Sequence, residues 1–403
     1  MYKVVLNIAL KNAFLRKSRA ILLILMIGMS MGTMLAIEGL YDGMATSMIE
    51  KTKRSDSGEI SIYAKEYRIN KDIKYQLKNT TDIINKLKTI PSVTSVTQRF
   101  KVDGLSQSAT KAYPSSLIGI NLKDEELFGQ FSEFKTSGDF NLGKRGCIVA
   151  KELAKKLKLK LNSKLIFTTR DINGDIKSIL FRVKAIVQTT NINIDNKAVF
   201  IDKTKIISYL GVDEDSSTQI AIRVDNEDNI KTIKELFSEY DTLDFKEINP
   251  LLKQMQDMMK IFNSITFFIV MFVVFIGILG VMYVSILDRI REFGIMLALG
   301  YNYKYIKYQV IFEALFLGIS GFIMGAIIGY ILLSYLQVYG FDLSNFADGM
   351  ASFGMSSILY ADLKFSYFSS SFYAIILASI LSVFLPLRKI KKLNPVDVIK
   401  AEK

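Results

Sequence analysis

The sequence has 403 residues, of which 50% are hydrophobic and 23% charged, and its formal net charge is +13. Histidine is absent and Cys147 is the single cysteine, which excludes serine–histidine and cysteine–histidine catalysis, histidine-ligated metal sites and an intrachain disulfide. A strongly positive net charge is typical of nucleic-acid-binding proteins and of membrane proteins with cationic cytoplasmic flanks. The distribution of apolar residues favours a membrane protein.

The chain begins with a predicted amphipathic helix within residues 1–19. Its apolar and polar positions alternate at helical spacing, as on a helix that lies along the inner membrane surface. The apolar positions are Val4, Val5, Ile8 and Ala9, and the polar positions are Lys3, Asn7 and Lys11. A disordered tail is the alternative interpretation.

Long apolar runs dominate the rest of the pattern. They predict transmembrane helices at residues 20–42, 261–287, 308–339 and 366–387, since each is about as long as the roughly 20 residues that cross a bilayer core. The third run holds one acid, Glu313, near its start. No small-residue cleavage site follows the first run, so we interpret it as an uncleaved signal anchor. Together the runs favour a membrane protein over a soluble protein with buried helices.

Basic residues flank these runs and predict their orientation. Short segments rich in Lys and Arg stay on the cytoplasmic side of a membrane. The basic residues of the three segments are Lys3, Lys11, Arg16, Lys17, Arg19, Arg289, Arg291, Lys304, Lys307, Arg388, Lys389, Lys391 and Lys392. Both termini are therefore expected in the cytoplasm, with residues 388–403 forming a cytoplasmic tail. Residues 43–260 and the loop 340–365 are expected outside.

The segment 43–260 alternates strand and helix patterns and predicts a large α+β extracytoplasmic domain of two lobes. Strands are predicted at 59–64, 93–102, 115–120, 146–150, 164–169, 176–189, 198–201 and 219–224. Helices are predicted at 72–89, 151–158 and 226–240. Asn173 and Gly174 separate two strand patterns and predict a hairpin turn within residues 171–176.

Both ends of this domain continue the helical pattern of the adjacent membrane helices and predict a stalk. The apolar positions with helical spacing are Leu40, Met44, Met48 and Ile49 at one end, and Leu251, Leu252, Met255, Met258, Met259 and Phe262 at the other. Methionine is flexible and polarizable, which suits a surface that accepts varied apolar cargo. Plain packing between the two stalk helices is the alternative.

The segment 288–307 is predicted to be a cytoplasmic link between the second and third membrane helices. A short helix at 293–299 is expected to end at Gly300. Arg291 and Glu292 offer polar contacts, and Ile295, Leu297 and Leu299 offer apolar anchors for a partner. A simple connector is the alternative interpretation.

Three motifs resemble those of the MacB/FtsX/LolC-LolE permeases, the mechanotransmission (type VII) class of ABC transporters. Arg-Glu-Phe-Gly-Ile-x-x-Ala-Leu-Gly at 291–300 is similar to the coupling segment of that family. Asn394-Pro-Val-Asp-Val-Ile399 is similar to its tail, and Gly58-Glu-Ile-Ser-Ile62 to its first outer strand. The order of one helix, a large outer domain and three further helices also matches, so the resemblance covers essentially the whole chain and implies a domain like the MacB periplasmic core.

The resemblance implies the partners. The sequence has no Gly-x-x-x-x-Gly-Lys-[Ser/Thr] phosphate loop and starts about 20 residues before its first helix, so we expect a separate ABC ATPase subunit to bind ATP and Mg. This chain itself is expected to need no cofactor, to be no enzyme, and to bind no nucleic acid. The family also implies a dimer with a second copy or a paralogue in the bacterial inner membrane.

The resemblance further implies which residues couple the permease to its ATPase. These are Arg289, Arg291, Glu292, Gly294, Ile295, Leu297, Leu299 and Gly300. ATP binding would close the stalk, where Met44, Met48, Met255, Met258, Met259 and Phe262 would meet the cargo.

Glycines at helical spacing predict close helix packing. They are Gly28 and Gly32 in the first membrane helix and Gly321, Gly325 and Gly329 in the third. The sequence leaves open whether they pack within one subunit or form a dimer seam.

The cargo stays open among three possibilities. The first is extraction of lipoproteins or lipids from the outer leaflet, as in the LolC/LolE branch, where a hairpin like that at 171–176 recruits a periplasmic chaperone. The second is efflux of amphiphilic small molecules or peptides with a periplasmic adaptor, as in MacB. The third is regulation of a cell-wall hydrolase, as in FtsX, whose outer domain is usually much smaller.

Overall fold

A computed structural model of the protein describes residues 2–13, 17–189, 191–352 and 354–391. The tail motif at 394–399 and the flanking residues Arg16 and Lys392 lie outside them. The chain forms two compact units. The helical unit comprises residues 1–45, 256–343 and 358–403, and the sheet unit comprises residues 46–255 and 344–357.

The helices are α1 Tyr2–Ala13, α2 Lys17–Thr52, α3 Tyr67–Asn70, α4 Thr80–Lys88, α5 Leu122–Gly129, α6 Lys151–Leu157, α7 Ile192–Lys197, α8 Lys203–Leu210, α9 Ile230–Leu236, α10 Phe245–Ile248, α11 Pro250–Asp288, α12 Ile290–Ala298, α13 Tyr303–Tyr339, α14 Ala347–Ser352, α15 Phe365–Ser382 and α16 Phe384–Lys391. The strands are β1 Ile60–Tyr63, β2 Leu77–Lys78, β3 Val93–Gln107, β4 Ala112–Ile120, β5 Lys135–Gly138, β6 Gly146–Ala150, β7 Lys164–Arg170, β8 Ile176–Val187, β9 Ala198–Asp202, β10 Ser216–Ser217, β11 Gln219–Val224, β12 Asp241–Asp244, β13 Phe341–Asp342 and β14 Ile358–Leu359.

Four helical segments in the described residues are long and apolar enough to cross a membrane: Lys17–Ser57, Pro250–Asp288, Tyr303–Tyr339 and Phe365–Ile390. α11 alone has 39 residues and extends about 58 Å at 1.5 Å per residue. That length is about twice the roughly 30 Å of a bilayer core, so the helix continues well beyond the apolar run in its sequence.

The glycines of the helical unit lie where α2 and α13 meet within one chain. A Cβ added at Gly321 would lie 2.7 Å from Cβ of Ile27, and one at Gly325 would lie 2.9 Å from Cβ of Met31. The contacts of Gly28, Gly32 and Gly329 follow the same helix pair, with Met324, Ile328 and Leu35. These glycines therefore allow close packing inside one subunit, and the alternative of a dimer seam along them is wrong.

The sheet unit is built on a mixed sheet in the order β12-β1-β11-β3-β4-β9-β6-β8-β5, with β7 pairing with β3 and β8. The long strand β3 joins two lobes. Its residues 93–99 pair with β11, and residues 100–107 pair with β4. One lobe packs α4 and α9 on β1 and β11, and the other buries apolar side chains on both faces of β6 and β9. The predicted two-lobed domain is confirmed.

Several predicted bounds of elements in the sheet unit were wrong. The helix expected at 72–89 is restricted to α4, because Asn79 adopts a left-handed conformation with φ 52° just before it. The helix expected at 226–240 is a 3-10 turn, Glu227–Asn229, followed by α9. The edge strands β5 and β12 were missed, since they have only four residues each and lack a long β-branched pattern.

Candidate coupling site

The predicted coupling helix is α12, which follows α11 after the single residue Arg289. It ends in a Schellman motif: the N–H of Gly300 donates to the carbonyl of Leu297 at 3.0 Å, and that of Tyr301 to Met296 at 2.9 Å. Gly300 has φ 82°, a conformation that side chains with a Cβ resist. Asn302 then starts α13 by accepting a hydrogen bond from the N–H of Lys304 at 2.9 Å. The chain thus turns sharply from α12 into α13.

One face of α12 is exposed and mixes charged with apolar side chains. Arg291, Glu292, Ile295 and Leu299 lie on it, and Leu299 is 82% exposed. Residues that are three or four positions apart lie on the same face of a helix. An exposed apolar side chain of this size at a helix end is a suitable anchor for a partner.

The opposite face of α12 packs into the core of the helical unit. Phe293 and Gly294 are fully buried there, and Leu297 is half-buried against the same core. Gly294 and Leu297 were expected to contact a partner, and that contact stays a prediction; their side of the helix packs against the core of this protein, where Gly294 is buried and Leu297 half-buried. Phe293, which the sequence did not single out, is the buried anchor that holds α12 in place.

Arg289 also faces inward, where it forms an ion pair with Glu313 of α13. Its Nη1 lies 3.1 Å from Oε2 of Glu313, whose side chain is only 4% exposed. Ser285 of α11 donates to the same carboxylate at 3.4 Å, and Glu292 accepts from Nε of Arg289 at 3.1 Å. Arg289 was expected to contact the ATPase, which stays a prediction; within this chain it connects the coupling helix to α13.

A second ion pair lies beside the first. Arg19 at the start of α2 contacts Asp288 at the end of α11, with Nη1 2.6 Å from Oδ2. Both pairs line a polar cavity of about 320 Å³. The two ion pairs connect α2, α11 and α13 close to α12. A displacement of α12 would therefore act on all three helices.

Glu313 and Asp288 belong to this candidate site but were not predicted from the sequence as site residues. The available signal was the single carboxylate in a long apolar run, because an ionisable residue inside a membrane helix is rare and usually paired. Within the described residues, no group of acidic or cysteine side chains could hold a metal ion. The ion pairs beside α12 are suited to transmitting a movement of α12 to the neighbouring helices.

The stalk residues have different environments. Met48 is buried at 6% exposure, Met44, Met255 and Met259 are half-buried, and Met258 and Phe262 are half exposed at 50% and 55%. Met48 and Met255 line the same groove in the sheet unit. The contact with cargo that was predicted for this set stays a prediction.

The end of α2 enters the sheet unit through a five-residue π-helical turn, Lys53–Ser57. Lys53 pairs with Glu227 at 2.9 Å, and Arg54 pairs with Glu133 at 2.6 Å. These ion pairs connect the turn to two separate segments of the sheet unit, the one that carries Glu227 and the one that carries Glu133.

Beneath this turn lies a buried charge cluster. Arg99 contacts both carboxylate oxygens of Glu125, at 2.6 and 2.7 Å, and its Nη1 donates to the backbone carbonyl of Asp56. Burial by itself lowers the pKa of the Arg99 guanidinium, but Glu125 and Asp56 outweigh that effect and hold the pKa above its ordinary value. Because Arg99, Glu125 and Asp56 are all paired with one another or with Lys101, the cluster fixes the end of α2 in the sheet unit.

Comparison with known proteins finds family models that match both parts of the chain. Residues 20–240 match the MacB-like periplasmic core domain, and residues 264–395 match the FtsX-like permease C-terminal. The chain is 23% identical to the lipoprotein-releasing system transmembrane protein LolC of Buchnera aphidicola, over 65% of each chain. It is 21% identical to the uncharacterized ABC transporter permease YknZ of Bacillus subtilis, over 98% of each chain.

Two further similarities are more limited. The macrolide export ATP-binding/permease protein MacB of Haemophilus ducreyi is 29% identical over 38% of this chain and 20% of that protein. Among solved structures, the extracellular domain of YknZ from Gram-positive bacteria is 14% identical, with a TM-score of 0.32, over 46% of this chain and 98% of that domain.

Proposed function

Because the chain belongs to the family of ABC transporter permeases that combine a MacB-like periplasmic core domain with an FtsX-like permease C-terminal, we propose that a separate ATPase subunit drives it. ATP and Mg would bind to that ATPase, and this chain would convert its movement into movement of the stalk. The chain would span the bacterial inner membrane with both termini in the cytoplasm and would act as a dimer with a second copy or a paralogue.

The observation that carries this proposal is the two-faced helix α12. Its exposed face offers Leu299 and Ile295 to a partner, while Arg289 at its start is paired with the buried Glu313. A partner that moves α12 would therefore move α13 and the attached helices. A mere connector would need neither the exposed apolar anchor nor the buried ion pair.

For the cargo, we propose lipoproteins or lipids taken from the outer leaflet. The similarity to LolC along 65% of the chain supports this choice, as does the set of methionines at the stalk. The hairpin between β7 and β8 would be the contact for a periplasmic chaperone. Its turn is closed by the N–H of Asp171, which donates to the carbonyl of Asp175 at 2.8 Å.

The second candidate is efflux of amphiphilic small molecules or peptides with a periplasmic adaptor. It is favoured by the similarity to MacB, although that match covers a shorter stretch. Stimulation of ATP hydrolysis by a lipopeptide, compared with stimulation by a macrolide, separates the two candidates. The proposal of lipid-linked cargo fails if only the macrolide stimulates.

We expect Leu299→Ser and Gly300→Val each to lower cargo-stimulated ATP hydrolysis of the complex at least tenfold. The first removes an anchor that is 82% exposed, and the second forces a β-branched residue into a left-handed turn. ATPase assays on the permease co-purified with its ATPase measure the effect.

Two control variants separate coupling from folding. Gly300→Asn should keep most of the stimulation, because asparagine tolerates φ of 82° better than valine does. Leu127→Ser removes an equally exposed leucine, at 80%, from the sheet unit and should change nothing. If Leu299→Ser behaves like Leu127→Ser, α12 is not the docking site.

The proposed orientation predicts which cysteines a membrane-impermeant thiol reagent can label. Cys147 should stay unlabelled in the native protein, because it is fully buried and burial raises the pKa of its thiol. Cys147 is thus unsuited to report topology by itself. A cysteine replacing Ile69, which is 85% exposed in the sheet unit, should be labelled from outside, and one replacing Lys304 should not. Labelling of the Lys304→Cys variant in sealed cells would contradict the orientation.

A further inference from the structure

The short helix α16 at the end of the fourth apolar segment has one buried face and one exposed face. Leu387 and Ile390 are buried, and the carbonyl of Leu387 accepts a hydrogen bond from the hydroxyl of Tyr303 at 3.0 Å. Because Tyr303 is the first residue of α13, this bond connects the two helices. These contacts fix which side of α16 faces outward.

The exposed face of α16 is amphiphilic. Phe384 and Leu385 are 57% and 54% exposed, and Arg388 and Lys389 are exposed one helical turn later. A helical turn advances about 5.4 Å, so an apolar part and a cationic part lie next to each other on this face. The face can therefore contact hydrocarbon and an anionic group at the same time.

The two cations lie at the end of a membrane-spanning segment. Arg388 and Lys389 come just before the end of the segment Phe365–Ile390. The segment Pro250–Asp288 ends close by, since Nζ of Lys389 donates a hydrogen bond to the hydroxyl of Tyr283 at 3.2 Å. Lysine, arginine and tyrosine at such ends lie at the level of the lipid headgroups.

Both cations contact aromatic rings instead of carboxylates. The guanidinium of Arg388 lies 4.5 Å from the ring centroid of Phe384, and Nζ of Lys389 lies 5.3 Å from that of Tyr283. Neither cation forms an ion pair within the part of the chain that the structure describes, and the two ion pairs at the end of α11 use other cations. The positive charge of this face is therefore available to the anion of a ligand.

The neighbouring surface of α11 has room for a hydrocarbon chain. A Cβ added at Gly280 would meet no atom within 4 Å, and Ile276 is 50% exposed. Ile276, Gly280 and Tyr283 lie on one face of α11, because they are four and three residues apart. An acyl chain can thus follow α11 away from the contact between Tyr283 and Lys389.

We propose that this face of α16, together with Tyr283 of α11, binds an anionic phospholipid. The phosphodiester would accept hydrogen bonds from Arg388 and Lys389, and an acyl chain would lie along Gly280 and Ile276. A zwitterionic lipid has the same phosphate but adds a cation that Arg388 and Lys389 would repel, so the site should discriminate between the two lipid classes.

A lipid fits this face better than a soluble anion or a protein. The cations adjoin the exposed apolar side chains of Phe384 and Leu385, and the segment that carries all of them is apolar enough to cross a membrane. In a bilayer such a surface is covered by lipid. The proposed lipid would be a resident component of the membrane, and its binding does not depend on which cargo the permease moves.

The chain contains no tryptophan, which makes a local test possible. The full-length Leu381→Trp variant has one reporter on an exposed position about two helical turns before Lys389. It is placed in vesicles of equal parts phosphatidylglycerol and phosphatidylcholine, and bromination of the acyl chains of one lipid at a time measures how much each quenches the fluorescence. We expect phosphatidylglycerol to be enriched about fivefold over phosphatidylcholine beside this reporter, which is the contribution of one cation close to an anionic headgroup.

A second reporter and two charge variants serve as controls. The Ile327→Trp reporter, on an exposed position of α13, should show no enrichment of either lipid. Arg388→Gln/Lys389→Gln should return the ratio at the Leu381→Trp reporter to that of the bulk lipid. Lys11→Gln/Lys17→Gln removes the same charge from exposed positions elsewhere in the helical unit and should leave the enrichment unchanged.

Several results would overturn the assignment. An equal ratio at the Leu381→Trp and Ile327→Trp reporters would do so, and this comparison needs no charge variant to fold. Enrichment that persists in Arg388→Gln/Lys389→Gln, with an unchanged thermal midpoint, would also contradict it. Loss of the enrichment in excess inorganic phosphate would identify a site for a soluble anion, and loss on addition of the ATPase would identify a contact with that protein.

Discussion

Replacing Arg289 with methionine is expected to abolish cargo-stimulated ATP hydrolysis and to destabilise the helical unit. The change leaves Glu313, whose side chain is 4% exposed, as a buried carboxylate without its cation. Removing one partner of a buried ion pair typically costs about 3–5 kcal/mol. Thermal unfolding of the purified permease and the ATPase assay measure the two effects separately.

The double variant Arg289→Met/Glu313→Leu separates stability from coupling. Replacing both members of a buried pair by apolar side chains is often neutral or stabilising, so the thermal midpoint should return close to that of the unmodified protein. Coupling should stay low, because the directional link from α12 to α13 is gone. If the double variant regains full stimulation, apolar packing around Phe293 alone transmits the movement and the ion pair has no coupling role.

Replacing Arg99 with methionine is expected to loosen the attachment of α2 to the sheet unit. Glu125, at 2% exposure, loses both hydrogen bonds from the guanidinium, and the carbonyl of Asp56 in the π-helical turn keeps only the longer bond from Nε2 of Gln219 at 3.4 Å. A loss of about 3–5 kcal/mol is expected for such an unpaired buried charge. Hydrogen exchange of the full-length chain should show faster exchange in residues 53–57 and in β3.

Arg99→Lys is the matched control for this prediction. Lysine keeps the positive charge but cannot contact both oxygens of Glu125 at once, so an intermediate effect is expected. Exchange in α6, whose core lies in the other lobe, should change little in either variant. Unchanged exchange in residues 53–57 of Arg99→Met would show that the ion pairs of Lys53 and Arg54 suffice to hold the turn.

The sequence by itself determined the positions of the long apolar helices, because hydrophobic segregation is a local signal. Four apolar runs gave the positions of the long helices, and β-branched alternation gave most strands of the sheet unit. The Arg-Glu-Phe-Gly pattern at 291–294 located the coupling helix within three residues of its start. Gly300 marked its end, since a left-handed turn has a strong preference for glycine.

Only the tertiary structure decided which side of each element faces a neighbour. The glycines at 28, 32, 321, 325 and 329 could have served a dimer or a single subunit, and the approach of α2 to α13 selects the second. In the same way, the sequence could not place Arg289 on the inner side of the coupling helix, because its partner Glu313 lies 24 residues away. Spacing along the chain fixes the face of a helix, but the identity of what packs against that face depends on contacts between distant segments.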